Sequence, residues 1–345
     1  MQRRVFLKLF GGAAAANVGV RLANASTTPV PTCVDFHCHA ILPSFVDGLR
    51  QLGIDAAYEE GFPLPKWNVE NHLKFMEDAG IDFSILSPPS PHVASKNRAL
   101  ARRVVRKFNE ETAELCRAYP QKFGFVSVAP LPDVEGALEE TRYAREELGA
   151  LGVKVASNSL GVYLGDPALD PFFAELNQRE TLVITHPSPA RSLPRDSVVT
   201  GRVMALFEYP ADTTRAALNM IANGTLVKFE KLRFVIPHVG SFLPYMKQRA
   251  TGMFKLLATL NMIEPVDVEQ ALARLYFDLA GDPTADALDM LLAITGLDHI
   301  VYGSDYPYSV APVLLPKKRA LDRELAERAC VNSIYQVTPN ALLQH

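Results

Sequence analysis

Short runs of β-branched and aromatic residues alternate along this chain with longer helical patterns, and few folds accommodate that order. Candidate strands fall at 33–37, 83–87, 123–128, 153–157, 182–186, 234–238, 276–279 and 300–303. Helical periodicity fills the gaps at 68–79, 96–118, 134–148, 171–178, 212–223, 242–260 and 285–295. Parallel strands need crossover connections, so eight such units predict an α/β chain closed into a TIM-type (β/α)8 barrel. An open doubly wound sheet is the competitor, but no GxGxxG follows the first strand. Walker A, GxSxG and HExxH patterns are absent as well. The segment 40–67, with Pro43, Pro63 and Pro65, is long for a βα loop and is a candidate lid, or small subdomain, at the barrel mouth. A second long loop, 188–209, is rich in Pro, Ser and Arg.

In such a barrel, chemistry belongs at the C-terminal ends of the strands. His37 and His39 close strand 1, His186 strand 5, His238 strand 6 and Asp305 strand 8. Side chains alternate along a strand, so His37 and His39 point the same way. With a third histidine and a carboxylate they make an N/O site suited to Zn²⁺, or to Mn²⁺ or Fe²⁺. An isolated HxH is a weak signal. Four of the chain's eight histidines ending strands of one barrel is a much stronger one. The alternative is a set of hydrogen-bonded core histidines. Lys154 lies inside strand 4 and reads as structural. Asp35 reads as a group supporting the ligands, and Asp278 as a further acid of the barrel region. His92 is a candidate pocket residue, whereas His72, His299 and His345 have no partner at ligand spacing. Trp67 and Phe45 could stack on an unsaturated substrate, but core packing is the commoner use.

The N-terminus reads as a targeting segment rather than as fold. Gln2-Arg3-Arg4-Val5-Phe6-Leu7-Lys8 resembles a twin-arginine export motif. A mildly apolar stretch follows, then Ala23-Asn24-Ala25 as a cleavage site. The expectation is a signal peptide at 1–25, a single domain at 26–345 and a periplasmic location. A basic helix that stays in the cytoplasm is the alternative. Loss of Arg3, Arg4, Lys8 and Arg21 would take the net charge from −3 to −7. An acidic chain is a poor partner for nucleic acid. No uninterrupted apolar run of about 18 residues exists, so no stable membrane anchoring is expected after cleavage. The four cysteines, Cys33, Cys38, Cys116 and Cys330, form no CxxC pair and read as free, mostly buried thiols.

These motifs resemble the amidohydrolase superfamily, in the branch related to aminocarboxymuconate-semialdehyde decarboxylase. Within it the chain looks like the 6-methylsalicylate decarboxylase-like group. That likeness is carried by Phe75-Met76-Glu77-Asp78-Ala79-Gly80-Ile81, Tyr163-Leu164-Gly165-Asp166-Pro167, Glu208-Tyr209-Pro210-Ala211-Asp212-Thr213-Thr214-Arg215 and Tyr276-Phe277-Asp278. The resemblance implies one divalent metal ion, Zn²⁺ with Mn²⁺ as the alternative, held by His37, His39, His186 and Asp305. It implies an acid/base role for His238, with Asp305 sharing the proton chemistry. It further implies that Arg249 reaches the neighbouring subunit of a homodimer to hold a substrate carboxylate. Where the branch carries Gly-Gly-Gly after the strand 6 histidine, this chain has Val239-Gly240-Ser241, a departure that bears on the substrate. The implied activity is nonoxidative decarboxylation of an aromatic or unsaturated carboxylic acid. Hydrolysis of a lactone, ester or amide on the same site is the runner-up, and metal-assisted carboxylate capture without catalysis a third reading.

Overall fold

Eight parallel strand units form the frame, seen here in a computed structural model that describes residues 32–57, 61, 63–190 and 203–344. They are β1 (Val34–His39), β2 (Phe83–Ser87), β3 (Phe123–Phe125, resuming at Ser127–Val128), β4 (Val153–Ala156), β5 (Leu182–His186), β6 (Arg233–Ile236), β7 (Tyr276–Asp278) and β8 (Ile300–Val301). β1, β2 and the first part of β3 pair in sequence order. The second part of β3 pairs with β4, and pairing continues through β5, β6 and β7 to β8. β3 breaks at Val126, whose N–H donates to Leu86 at 3.1 Å while its neighbours turn to β4. The ring closes where Phe36 N–H donates to Tyr302 at 2.9 Å and His39 N–H to Tyr306 at 2.8 Å. The expected barrel is therefore present.

Helices surround it: α1 (Pro43–Leu52), α2 (Val69–Ala79), α3 (Arg98–Ala118), α4 (Val134–Glu146), α5 (Asp170–Gln178), α6 (Glu208–Ala222), α7 (Leu243–Thr259), α8 (Ala285–Leu292) and α9 (Ala311–Glu327). Their starts follow local chemistry. Asn68, Asn97 and Asp133 each accept a backbone N–H of the first turn of α2, α3 and α4. α2 ends on Gly80, whose φ of 67° is the left-handed conformation that glycine adopts without a Cβ penalty.

Two apolar clusters result. Val34, Phe36, Ile85, Val126, Leu182, Ile184, Val235 and Val301 fill the barrel axis, with Leu342 of the C-terminal helix packed against them. A larger cluster lies between barrel and helices. The candidate lid is not what the described part of 40–67 builds. α1 buries Phe45 and Leu49, and Phe45 meets Phe108 of α3 with ring centroids 6.0 Å apart. The segment is thus an outer layer of the barrel. Residues 58–60 and 62 lie outside the described residues, as does the export segment 1–25.

Candidate metal centre and active site

Everything the strand ends deliver converges on β1. Its register slips by one residue, since Asp35 pairs with Ser84 but Cys38 pairs with Leu86. That is a β-bulge, with three steps on β1 matched by two on β2. Val34 and Phe36 face the barrel axis. The extra residue lets His37 and His39 face it too, while Cys38 joins the outer cluster.

The rings of His37 and His39 lie 5.2 Å apart, and that of His186 lies 5.3 and 5.1 Å from them. One ligand atom from each of the three falls within 4.8 Å of the others, and the same holds for His37, His238 and Asp305. Asp305 Oδ1 stands 3.2 Å from His39 Nε2 and 3.6 Å from His37 Nε2. His238 Nε2 is 3.9 Å from Asp305 Oδ2. All five sequence-predicted residues are therefore in one cluster. Two of them are not on strands. β6 ends at Ile236 and β8 at Val301. His238 and Asp305 project from the following loops with φ of 58° and 60°. Their backbone is tied down: His238 N–H donates to Asp278 Oδ1 at 3.0 Å, and Asp305 N–H to the His37 carbonyl at 2.7 Å.

Neighbours set the protonation of the rings. Asp278 Oδ2 lies 2.7 Å from His37 Nδ1, and a carboxylate accepts, so Nδ1 carries the hydrogen and Nε2 presents its lone pair. Burial opposes charge on His37, but Asp278 together with Asp305 outweighs it and raises its pKa; the pairing with His37 lowers that of Asp278. Burial pushes His39 down to about 3. Burial and the Lys154 ammonium hold His186 well below the usual histidine range. Asp305 is buried, which alone would raise its pKa, yet the surrounding histidines keep it below the carboxylate range. The neutral rings of His39 and His186 beside an ionised Asp305 are the states that bind a cation. His37 Nε2 and His39 Nε2 are buried and make no hydrogen bond. Orphaned polar atoms of this kind call for a partner, and a divalent ion fits the donor set.

The remaining candidates divide cleanly. Asp35 Oδ1 accepts from His37 N–H and Ser304 N–H, each at 3.0 Å, and so joins β1 to the Asp305 loop; burial raises its pKa to about 7. Lys154 donates to the Pro88 carbonyl. His92 lies behind His186, with its ring 5.3 Å away, and bonds the Pro187 carbonyl at 3.1 Å; it does not line the cavity. His72 accepts from Trp67 Nε1 at 3.1 Å. Arg249 is exposed on α7, away from its own cavity. The four cysteines are free, and all but Cys116 are buried.

Sequence reasoning missed several supports. Ser90 Oγ lies 3.2 Å from His186 Nδ1, and the Pro187 carbonyl lies 3.0 Å from the same atom. Asp212 accepts from Ser157, Asn158, Tyr163 and Arg215, which ties the loop after β4 to α6. The two segments Tyr163–Pro167 and Glu208–Arg215, singled out in the sequence, meet in this knot. A cavity of about 470 Å³ opens over the cluster. Leu206, Tyr209, Pro210 and Val239 line it, together with Tyr308, Ser309, Asp282 and Lys317. No helix among the described residues is long and apolar enough to cross a membrane.

Comparison with known proteins adds the family context. A family model described as Amidohydrolase matches residues 34–343. A 6-methylsalicylic acid decarboxylase of Aspergillus aculeatus is 30% identical over 318 residues, covering 90% of this chain and 94% of its own. A solved structure described as an amidohydrolase II superposes with a TM-score of 0.81 at 30% identity, covering 91% of this chain and all of the other. The 5-carboxyvanillate decarboxylase of Novosphingobium aromaticivorans, complexed with manganese and a nitrobenzoic acid, has a TM-score of 0.78 at 22% identity and covers 91% and 96%.

Proposed function

The chain belongs to the amidohydrolase family, and on that premise we propose that it is a metal-dependent, nonoxidative decarboxylase of an aromatic carboxylic acid. The observation that carries this reading is the convergence of His37, His39, His186, His238 and Asp305 at the floor of one cavity. In this reading His37, His39, His186 and Asp305 hold one divalent ion. Imidazole nitrogens with a carboxylate oxygen take Zn²⁺ and admit Mn²⁺. Zn²⁺ is the ion we put forward, although a fold neighbour carries manganese. When bound, the cation supplies Lewis-acid polarisation of the substrate's oxygens.

The chain's own groups then do the rest. Asp278 fixes the His37 tautomer, and Ser90 and the Pro187 carbonyl orient His186. His238, 3.9 Å from Asp305, is the acid that delivers a proton to the carboxyl-bearing ring carbon, with Asp305 as its partner. The bond from that carbon to the carboxyl group then breaks, CO₂ leaves, and the electron pair restores the ring. The net change is uptake of one proton for each CO₂ released.

Incubation with ortho-hydroxylated benzoates, led by 6-methylsalicylate, tests the reaction. CO₂ release that stops on chelation is the expected result. Base consumption with lactones, without CO₂, would replace decarboxylation by hydrolysis. Residues 1–25 support export by the twin-arginine route to the periplasm. An Arg3→Lys/Arg4→Lys double variant should then stay in the cytoplasm, and unchanged export would reject that route. The exposed position of Arg249 supports a homodimer that shares its sites.

A further inference from the structure

The cavity is asymmetric. Leu206, Pro210 and Val239 give it an apolar part. Between the loops after β7 and β8 stands Lys317 of α9, the only lysine or arginine lining the cavity among the described residues. Its ammonium donates to the Gly281 carbonyl at 3.3 Å and pairs with Asp282. An ammonium has three donors, so two are used in holding the group and one remains to be offered. Asp282 is 77% exposed and Lys317 35% exposed. An ion pair that exposed adds little to stability. Its effect is to fix a cation at the cavity rim, away from the histidine cluster on the floor.

We propose that Lys317 is a specificity-determining residue that binds an acceptor group on the substrate ring, a second carboxylate or a hydroxyl, remote from the carboxylate that reacts. This rests on the decarboxylase reading for the occupant of the floor. The substrate class becomes a benzoate with an anionic or hydrogen-bond-accepting substituent toward Lys317 and an apolar edge toward Val239 and Leu206. A cation pre-positioned by Asp282 and a backbone carbonyl loses little freedom on binding, which favours affinity.

Calorimetric titration of the metal-loaded full chain tests this with benzoate, isophthalate and terephthalate. None is among the ortho-hydroxylated benzoates put forward as substrates, so binding is read without turnover. One of the two dicarboxylates should bind about tenfold more tightly than benzoate, as expected for one charge-assisted hydrogen bond. Lys317→Gln should abolish that preference and Lys317→Arg retain it, with benzoate affinity and metal content unchanged in both. No preference in the native chain, or a preference that survives Lys317→Gln, overturns the proposal. CO₂ assays separate the two readings. A chain that keeps the Lys317-dependent preference but releases no CO₂ from hydroxybenzoates rejects decarboxylation alone, whereas one that releases CO₂ without the preference rejects the role of Lys317 alone.

Discussion

His238, Val239, Gly240 and Ser241 form a run of left-handed residues, with φ of 58, 53, 74 and 55°. Only the glycine is at ease there; a β-branched valine at positive φ is strained. Val239 lines the cavity, so the departure from three glycines puts a side chain on the pocket wall. The same backbone decides how His238 should be tested. Asparagine tolerates the left-handed region better than alanine. His238→Asn is expected to keep its metal and lose about 10²- to 10⁴-fold in turnover, the usual contribution of a positioned acid/base. Metal analysis beside the rate assay checks this, and loss of the ion would make His238 a ligand. Asp278 calls for a different experiment. Asp278→Asn places an amide against His37 Nδ1, where a donor would force the other tautomer. Metal affinity should fall about 10- to 100-fold, as for other supporting carboxylates. Competition with a chelator measures it, and an unchanged affinity would mean that Asp278 does not orient His37. Close approach matters as well: a Cβ on Gly303 would lie 2.7 Å from the His37 Cβ, so the chain just past β8 can lie against β1 only with glycine at this position.

Among the elements, the α3–α4 pair shows how the outer layer is fastened. Asp133 caps α4 by accepting from Gly136 N–H. It also takes a bidentate pair of bonds from Arg102 of α3, at 2.6 and 2.9 Å. The Arg102 guanidinium holds the Asp133 carboxyl below its usual range. Asp133→Ala should destabilise the chain by about 2 kcal/mol, and Asp133→Asn, which keeps a cap, by about 1 kcal/mol. Both figures are discounted for the one-third exposure of Arg102. A carboxylate whose pKa is depressed by folding stabilises above its unfolded value of about 3.9. The difference between wild type and Asp133→Asn should therefore be full at neutral pH and shrink as pH falls through the folded-state value. Denaturant titrations at neutral and at acid pH read it. A gap that widens in acid would overturn the assignment.

At the scale of the molecule, α7 is the least covered of the long helices, with only Leu243 and Ala250 buried. Tyr245, Met253 and Leu256 are exposed along it and Leu260 just past its end, and Arg249 lies in the same helix. Arg249 stands eleven residues past His238, in the second turn of α7, where it is exposed and is not among the residues lining its own cavity. A two-fold partner packed through α7 would bury these side chains and receive the arginine reciprocally. Mixing Arg249→Ala with His39→Ala chains should restore about one competent site per mixed dimer, since each mutant supplies what the other lacks. Verified mixed dimers without recovered activity, or an active monomer, would reject the shared site.

The frame and the chemistry were legible in the sequence for definite reasons. Strand and helix periods differ, so eight alternations were enough to specify a closed parallel barrel. Histidine is scarce, so four at strand ends marked the centre before any contact was known. What the linear pattern could not contain was facing and distance. By simple alternation from Val34 and Phe36, His37 and His39 would point outward to the helices. Only the β-bulge, a mismatch with a partner strand about 50 residues away, turns them inward. His238 and Asp305 take their places from left-handed loops anchored on Asp278 and on the His37 carbonyl, bonds that span 40 and 268 residues. The insertion after β1 became an outer layer because Phe45 found Phe108. Lys317 entered the cavity because β7 and β8 are neighbours in the ring. Composition and period are local properties, whereas register, facing and the meeting of distant loops follow from closing the barrel, and that closure made the site.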